Sequence, residues 1–472
     1  MDRVALKTRW DLIRFLFKEE LQTSRWFLSS FSALAIRWAI FQARREKFLP
    51  ALGILFKAWR ASKTFGFPDR GKRVMWDILG HTCFDEDALR PIARNELLQH
   101  FRQSSAAKEI RHAFHSFPPQ DRVRLRFPRT PDDPERQGNL IVLKPYDSES
   151  GERGVLLLKY GESFLWFAAL FDLARVAERY VLVLEPCWAG YQDWRFLLFL
   201  GSDLTCLVQA PHPLDFEFIR SLNGNLTPIR LGAGDWVDPS TFAPLPGSDP
   251  EYDLVMVSAW NPLKRHHEFF QALRRLRSAG YQDLRVALVG APTVWSRDII
   301  ERMVAKFGLS STCEIFEMIP HGEVARIVAS SRAFVLTSRQ EGANKALYEA
   351  LFCDTPVLVY SKHRSVNPDH IVDQVGVPFD AGQLHHAIET VLSDPDRYSP
   401  RAWAIQNTGW PVATARLDRA IGKIEAQAGR PWTYSIEPKK NAPHLRYTTL
   451  GTYKDFGTEY NNLRDLMIAS LN

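Results

Sequence analysis

The sequence predicts an α/β protein with two parallel-sheet domains that follow a helical region. From about residue 140, short apolar segments alternate with segments of helical period, which is the pattern of buried strands covered by helices. Near residue 245 a segment rich in proline and acidic residues, PLPGSDPEYD (244–253), interrupts this alternation before it resumes. A chain of 472 residues is also too long for one hydrophobic core.

Residues 1–60 are predicted to form two or three helices, because apolar residues recur at helical spacing. The nearly apolar stretch from 26 to 41 is 16 residues long, shorter than the roughly 20 that span a bilayer, so a transmembrane helix is not expected. These 60 residues contain 11 aromatic side chains and 12 Lys and Arg against 5 Asp and Glu. Their net charge of +7 leaves −1 for the other 412 residues. The pattern fits either helices on an anionic membrane surface or a helical cap packed on the rest of the protein.

Two linkers set the predicted domain boundaries. The first is the proline-rich and charged stretch 117–139, and the second is 244–253. We therefore predict a helical extension with linker (1–135), a first α/β domain (136–245), a second α/β domain (246–425) and a tail (426–472).

Within the first α/β domain we predict strands at 140–143, 155–158, 180–184, 204–209 and 228–230, with helices at 163–178 and 194–199. In the second we predict strands at 254–258, 285–289, 313–316, 333–336 and 356–359, with helices at 267–279, 297–307, 322–330, 345–352 and 383–392. Ligands of such sheets bind at the carboxyl ends of the strands, so the site is expected in the cleft between the domains.

Several classes of protein are not expected. The five cysteines lack metal-ligand spacing and are predicted to be reduced thiols, which indicates a cytoplasmic protein. The membrane surface is a further partner if residues 1–60 bind it. The beginning of the chain does not have the pattern of a signal peptide. No nucleic-acid motif accompanies the basic region, so nucleic acid is not an expected partner.

The segment SRQEGANKALYEALFCDTPVL (338–358) is the strongest candidate for chemistry. A strand ends just before it, Gly342 and Asn344 permit a tight turn, and a helix is predicted to begin near Asn344 or Lys345. Backbone N–H groups at a helix start, together with the helix dipole, bind phosphate. Glu341 lies in the turn and Glu349 follows eight residues later, so both carboxylates could accept hydrogen bonds from ribose or sugar hydroxyls. Two solvated helix glutamates are the alternative interpretation.

This segment resembles the E-x7-E signature of the family 4 (group 1) retaining glycosyltransferases, whose GT-B fold has two Rossmann-like domains facing a cleft. Glu341-Gly342 and Glu349-Ala350 match its two ends, and Cys353-x-Thr355-Pro356-Val357 matches the segment that follows. Two departures are Ala343-Asn344 in place of Phe-Gly and Asp354 in place of glycine.

Two earlier segments are similar to the same family in the expected order. Residues 234–244 resemble N-G-V-D-x-x-x-F-x-P, and residues 257–265 take the place of G-R-x-x-x-x-K-G. Lys264 falls on the lysine that holds the diphosphate, whereas Ala259 replaces the arginine. We hypothesise that Arg265 supplies the missing charge.

Three features of the first domain are weaker candidates. Gly161 opens a helix where the family has a glycine loop near the transferred group, and a simple N-cap turn is the alternative. His212 follows a strand where the family often has a histidine that contacts the donor sugar, and a structural histidine is the alternative. Trp188 and Tyr191 could stack on an acceptor sugar or could simply pack.

The resemblance implies transfer of a sugar from a nucleoside-diphosphate sugar to a glycan or lipid-linked acceptor, with retention of configuration and without a metal or other cofactor. The implied catalytic residues are Glu341, Lys264 and His212, and the implied donor-binding residues are Glu349, Gly342, Ala343, Asn344, Lys345, Arg265 and Gly161. A nucleotide-sugar epimerase of the same fold and a non-catalytic membrane-associated scaffold remain as alternatives, the latter favoured by Ala259.

Overall fold

The computed structural model describes residues 25–45, 47–62, 70–71, 74–75, 96–115, 117, 122, 125, 138–186, 194–247, 249–342, 344–441 and 444–468. Contacts divide the chain into two compact units. Unit 1 comprises Met1–Arg230, Leu417–Pro438 and Leu445–Asn472, and unit 2 comprises Leu231–Arg416 and Lys439–His444.

Unit 1 begins with four described helices, which are α1 (Arg25–Ala43), α2 (Phe48–Ser62), α3 (Glu96–Gln103) and α4 (Ser105–Phe114). Their buried side chains belong to the same hydrophobic core as one face of the sheet that follows, as Ile36, Phe56 and Phe101 illustrate. The described part of the basic region therefore packs on the first α/β domain. The part of the predicted helical region that precedes residue 25 lies outside the described residues.

The sheet of unit 1 has the order β1-β2-β3-β4-β5. Its strands are β1 (Leu140–Lys144), β2 (Gly154–Lys159), β3 (Tyr180–Glu185), β4 (Cys206–Gln209) and β5 (Leu226–Ile229). The helical segments between the strands are α5 (Gly161–Leu170), α6 (Leu173–Arg179), a 3₁₀ turn at Trp194–Phe199 and α7 (Pro213–Ser221). The predicted parallel sheet is found for β2 to β5, whereas β1 at the edge runs antiparallel to β2. Only nine residues separate these two strands, too few for the crossover that a parallel pair needs.

Unit 2 contains a six-stranded sheet in the order β11-β10-β9-β6-β7-β8, and all its neighbouring strands are parallel. Its strands are β6 (Tyr252–Trp260), β7 (Val286–Pro292), β8 (Cys313–Glu317), β9 (Ser331–Leu336), β10 (Val357–Tyr360) and β11 (Gly376–Phe379). Its helices are α8 (His266–Ser278), α9 (Arg297–Lys306), α10 (His321–Ala329), α11 (Lys345–Phe352), α12 (Leu384–Ser393) and α13 (Pro400–Asn407), and short 3₁₀ turns lie at Ala233–Trp236, Pro262–Lys264, Pro368–His370 and Pro395–Arg397.

Most of the C-terminal region belongs to unit 1, and Lys439–His444 belongs to unit 2. This region contains α14 (Trp410–Gln427), β12 (Lys439–Asn441), β13 (Leu445–Tyr447), α15 (Thr452–Asp455), α16 (Gly457–Asn462) and a 3₁₀ turn at Leu463–Leu466. The Tyr447 hydroxyl donates to the Val142 carbonyl over 2.6 Å, and the Val142 amide donates to the Tyr460 hydroxyl over 3.1 Å. These bonds satisfy the backbone groups of Val142 in the edge strand β1, so side chains of the tail partner the open edge of the first sheet.

The structure confirms the predicted class, which is α/β with two Rossmann-like units and a helical N-terminal region. Two such units are what the GT-B fold implied by the resemblance consists of. The bounds of the observed units differ from those of the predicted domains, because the first helices and most of the tail belong to the same unit as the first sheet. Residues 231–245 belong to unit 2, because Val237 and Phe242 are buried in the core formed by the second sheet and α11.

Candidate functional site

A cavity of about 460 Å³ lies in unit 2, at the carboxyl ends of β6 and β7 and at the beginning of α11. This is where a parallel α/β sheet normally binds its ligand. Residues from the ends of β6 and β7 and from the connections that follow β6, β8 and β9 meet in its wall. The lining residues are Val257, Ser258, Ala259, Lys264, Val289, Gly290, Ala291, Met318, Ile319, His321, Val324, Glu341, Asn344, Lys345, Ala346 and Glu349.

Lys264 and Glu341 form an ion pair in the wall of this cavity. The Lys264 Nζ donates to both carboxylate oxygens of Glu341, over 2.6 and 2.5 Å. The side chains are 17% and 9% exposed. Thr337 anchors the lysine backbone by donating from Oγ1 to the Lys264 carbonyl over 2.7 Å. The fold therefore brings two predicted catalytic side chains, 77 residues apart in sequence, into direct contact.

Arg265 points to a different set of groups. It adopts a left-handed backbone conformation, with φ of 55° and ψ of 39°, directly after the 3₁₀ turn that carries Lys264. Its Nε donates to Glu268 over 3.0 Å, and Arg339 donates to the same carboxylate over 2.7 and 2.9 Å. Burial tends to raise the pKa of Glu268, but the two guanidinium groups hold that pKa below its usual range. Arg265 is not among the described residues that line the cavity.

Glu349 lies on α11 and faces the cavity from a buried position, since only 6% of its surface is exposed. The His321 Nε2 is 3.4 Å from its Oε1. The His321 ring in turn packs edge-on against Phe242, with 5.0 Å between the ring centroids. Glu349 is thus a buried hydrogen-bond acceptor. Its partner is His321, the first residue of α10, which also lines the cavity.

The start of α11 is built as the sequence predicts, with the helix beginning at Lys345. Asn344 is its N-cap, and the Asn344 Oδ1 accepts from the Leu347 amide over 2.7 Å. With φ of −86° and ψ of 87°, Asn344 does not replace glycine by adopting a left-handed conformation. Asn344 and Lys345 line the cavity, Gly342 is half-buried beside them, and Ala343 lies outside the described residues.

The second departure from the family pattern has a structural explanation. Asp354 has a φ of 61°, a conformation that glycine adopts freely and that Asp tolerates better than most residues. Its Oδ1 also accepts from the Arg401 amide over 2.9 Å. The position therefore has a backbone conformation that glycine would also adopt without strain.

Residues 234–244, which match the N-G-V-D pattern, pack against α11. A Cβ on Gly234 would overlap the Tyr348 ring and lie 3.3 Å from the Asn344 carbonyl oxygen. Asp238 accepts hydrogen bonds from the Ser240 amide over 3.0 Å and from Lys440 over 2.8 Å. Burial works against the Asp238 charge, yet these hydrogen bonds lower its pKa to about 2. This segment supports the cavity wall without being part of it.

Two cavity features were not predicted from the sequence. Ser258 lines the cavity and lies 3.2 Å from the buried His266 Nε2, and burial lowers the pKa of His266 to about 3, so the ring is neutral. Gly290 also lines the cavity, and a larger residue would not fit there because its Cβ would overlap Trp260 and the Ser258 carbonyl. The available signal was their place at the carboxyl ends of β6 and β7, where site residues of such sheets are found.

The predicted residues of the first domain all belong to unit 1. Gly161 is the first residue of α5, after Tyr160, which has a φ of 71°. His212 is the N-cap of α7, and its Nδ1 accepts from the Leu214 amide over 3.2 Å. Lys159 and Glu185, which end β2 and β3, form a buried ion pair of 3.3 Å that the sequence did not reveal. Trp188 and Tyr191 lie outside the described residues.

Over the described part of the chain, no group of three or more His, Cys, Asp or Glu side chains is arranged to hold a metal ion. The described thiols of Cys206, Cys313 and Cys353 are free, and burial raises the pKa of each. Buried thiols of this kind are poor nucleophiles. The charged groups of the cavity are therefore the main candidates for chemistry.

Comparison with known proteins points to one family. Residues 239–408 match the model of the Glycosyl transferases group 1 family. This stretch contains the cavity and its E-x7-E segment. This match confirms the resemblance inferred from the sequence over residues 239–408, which lie in unit 2.

One curated relative is the MMP alpha-(1->4)-mannosyltransferase of Mycolicibacterium hassiacum, 24% identical over 207 residues. The alignment covers 40% of this chain and 48% of that protein, so the chain spans about half the length of this relative. Among solved structures, the chain is similar to sucrose-phosphate synthase from Thermosynechococcus elongatus, at 17% identity and a TM-score of 0.45, over 58% of this chain and 73% of that one. It is also similar to HepE of Anabaena in complex with UDP and glucose, at 16% identity and a TM-score of 0.42, over 57% and 78%.

Proposed function

We propose that unit 2 binds a nucleoside-diphosphate sugar in its cavity and that the protein transfers the sugar, with retention of configuration and without a metal ion, to a glycan or lipid-linked acceptor. One observation carries this proposal. The cavity brings Lys264, Glu341, Lys345 and Glu349 together at the beginning of α11. The family match and the matching E-x7-E segment support the same activity.

We assign Glu349 to the ribose hydroxyls of the donor. A carboxylate with 6% of its surface exposed needs hydrogen-bond donors, and the structure gives it His321 at 3.4 Å. Two neighbouring hydroxyls can satisfy one carboxylate, and each such charge-assisted bond contributes about 1.5–3 kcal/mol.

We assign Lys264 to the diphosphate and Glu341 to the transferred sugar. The ion pair holds the ammonium group in the cavity wall before the donor arrives, so little reorganisation is needed when negative charge develops on the leaving group. In this mechanism the leaving phosphate accepts the proton of the acceptor hydroxyl, so no side-chain base is required.

We assign Lys345 as the second cation, in place of the arginine that Ala259 replaces. Lys345 is the first residue of α11 and lines the cavity, whereas the Arg265 guanidinium pairs with Glu268. The positive end of the helix dipole adds to its charge. The prediction that Arg265 holds the diphosphate becomes testable by comparing Lys345→Met with Arg265→Met, and we expect only the former to weaken donor binding about tenfold.

The roles of His212 and Gly161 near the transferred sugar remain predictions. The Nδ1 of His212 accepts a hydrogen bond from the Leu214 amide, so a proton on the neutral form of this ring would be on Nε2. The acceptor class and the cytoplasmic location are likewise part of this proposal, and the free thiols of Cys206, Cys313 and Cys353 are consistent with a reducing compartment.

The proposal is tested first by thermal shift with UDP, GDP, ADP and their sugars, then by calorimetric titration of the nucleotide sugar that stabilises the protein most. Glu349→Ala should lose most of this binding, while the control Glu301→Ala, which removes a half-exposed glutamate on α9, should bind as the wild type does. Unchanged affinity of Glu349→Ala would refute the ribose assignment.

Donor hydrolysis and transfer assays separate the remaining alternatives. Binding without hydrolysis or transfer to any acceptor would favour the non-catalytic scaffold. This is the strongest alternative, because Ala259 in the cavity wall replaces the arginine of the family pattern. Interconversion of the free nucleotide sugar would indicate an epimerase. Absence of nucleotide binding altogether would overturn the proposed function.

A further inference from the structure

Helix α1 is apolar on two faces. One face, which includes Ile36, Ala39 and Ala43, is buried in the core of unit 1. The other exposes four large apolar side chains at positions i, i+3, i+7 and i+10, which makes one continuous stripe along a helix. This exposed stripe consists of Phe31 (39% exposed), Leu34 (65%), Trp38 (53%) and Phe41 (42%).

The stripe is accompanied by cations. Arg37, Arg44, Arg45 and Lys47 are all exposed, and the sequence from 25 to 45 contains no Asp or Glu. Trp38 and Phe41 stack with 5.2 Å between their centroids, and the Arg45 guanidinium lies 4.5 Å from the Phe41 ring. Large apolar side chains in one exposed row mark a surface that binds something else.

We propose that the exposed stripe of α1 binds an anionic lipid bilayer, with the helix lying in the plane of the interface. Aromatic and leucine side chains would enter the boundary between headgroups and acyl chains, and the flanking arginines would contact anionic headgroups. No helix among the described residues is long and apolar enough to cross a membrane, so the contact would be peripheral. This proposal does not depend on the proposed transfer activity.

The charges favour a bilayer over a second copy of the chain. A two-fold contact through the stripe would bring Arg37, Arg44 and Arg45 against the same residues of the other copy, without an acidic partner in this part of the helix. An anionic surface instead complements all of these cations at once. The net charge of +7 in residues 1–60 adds to the same attraction.

The test is flotation of the full-length protein with vesicles of phosphatidylcholine containing phosphatidylglycerol, and with vesicles of phosphatidylcholine alone. We expect binding to the anionic vesicles that weakens as salt is added. Leu34→Glu should lower the partition coefficient at least about tenfold, because it removes apolar contact and adds a repelled charge. The matched control is Leu450→Glu, which changes another exposed leucine of unit 1 and should leave flotation unchanged.

A double variant, Arg44→Glu with Arg45→Glu, tests the charges separately, with Arg175→Glu on α6 as its control. Circular dichroism and the melting temperature establish that each variant is folded, which is expected because the changed side chains are exposed. Absence of flotation of the wild type, equal loss in Leu34→Glu and Leu450→Glu, or a wild-type dimer that Leu34→Glu dissociates would each overturn the proposal. So would binding that is lost only on removal of residues 1–24.

Discussion

Replacing Gly234 by alanine should disturb the cavity without changing any residue that lines it. The new Cβ would overlap the buried Tyr348 ring and lie 3.3 Å from the Asn344 carbonyl oxygen. Neither neighbour can easily give way. The Tyr348 hydroxyl is 2.9 Å from the His370 Nδ1, and Asn344 is the N-cap of α11.

Overpacking a well-filled interior typically costs about 1–3 kcal/mol of unfolding free energy. For a unit of this size we expect the melting temperature to fall by roughly 2–4 °C for each kcal/mol. Relief of the overlap requires the first turn of α11 to move, and that turn carries Asn344 and Lys345 while Glu349 follows on the same helix. We therefore expect donor affinity to fall about tenfold, which corresponds to about 1.4 kcal/mol.

The assay combines thermal denaturation with calorimetric titration of the nucleotide sugar that binds best. Gly457→Ala is the control, because a Cβ there meets no heavy atom within 4 Å and the residue begins a helix. An unchanged melting temperature for Gly234→Ala would refute the packing argument. A lower melting temperature with unchanged donor affinity would show that the position of α11 does not determine binding.

Three further outcomes are expected. Lys264→Met should lower kcat about 10²–10³-fold while changing donor affinity less, and an equal loss in both quantities, measured by steady-state kinetics and titration, would contradict its role in the transition state. Burial lowers the pKa of His266 to about 3, so below about pH 6.5 the unfolded chain binds a proton that the folded chain does not. The free energy of unfolding should therefore fall by about 2 kcal/mol for this histidine between pH 7 and 5. Urea titrations of His266→Gln should show a smaller fall over the same pH range. Because the pKa of Asp238 is lowered to about 2, its stabilising contribution is present above about pH 4 and is lost as the pH falls towards 2. Asp238→Asn should therefore lower the free energy of unfolding by about 1–2 kcal/mol at pH 7 and by little at pH 2.

Much of unit 2 could be predicted because its signals are local. Buried parallel strands read as short apolar runs, and the predicted helix over 345–352 has the observed bounds of α11. The strand β11 was missed, since its four residues, Gly376–Phe379, include a proline and no alternating pattern. The predicted helix over 163–178 is in fact α5 and α6, separated where Asp172 begins a new helix as its N-cap.

The first domain was harder to predict because the segment between β1 and β2 is held by residues far away in sequence. The Glu459 carboxylate accepts the Tyr146 amide over 2.8 Å, although 313 residues separate them. Likewise the Glu425 carboxylate accepts the Arg153 Nε over 3.0 Å. The local sequence of the tail does not indicate that Glu425 and Glu459 bond to the first domain. The tail was therefore predicted as a separate segment.

The sequence by itself predicted the family resemblance, the order of its motifs and three residues that line the cavity, Lys264, Glu341 and Glu349. These could be predicted because the apolar strands β6 and β9, and the helix that begins at Lys345, have clear local patterns. Tertiary structure alone decided where the neighbouring side chains point. Lys264 and Arg265 are adjacent in sequence and equally charged, yet a left-handed residue at the end of a 3₁₀ turn sends one to the cavity and the other to Glu268. Spacing along the chain cannot encode that choice, since it depends on which carboxylate the fold brings within reach.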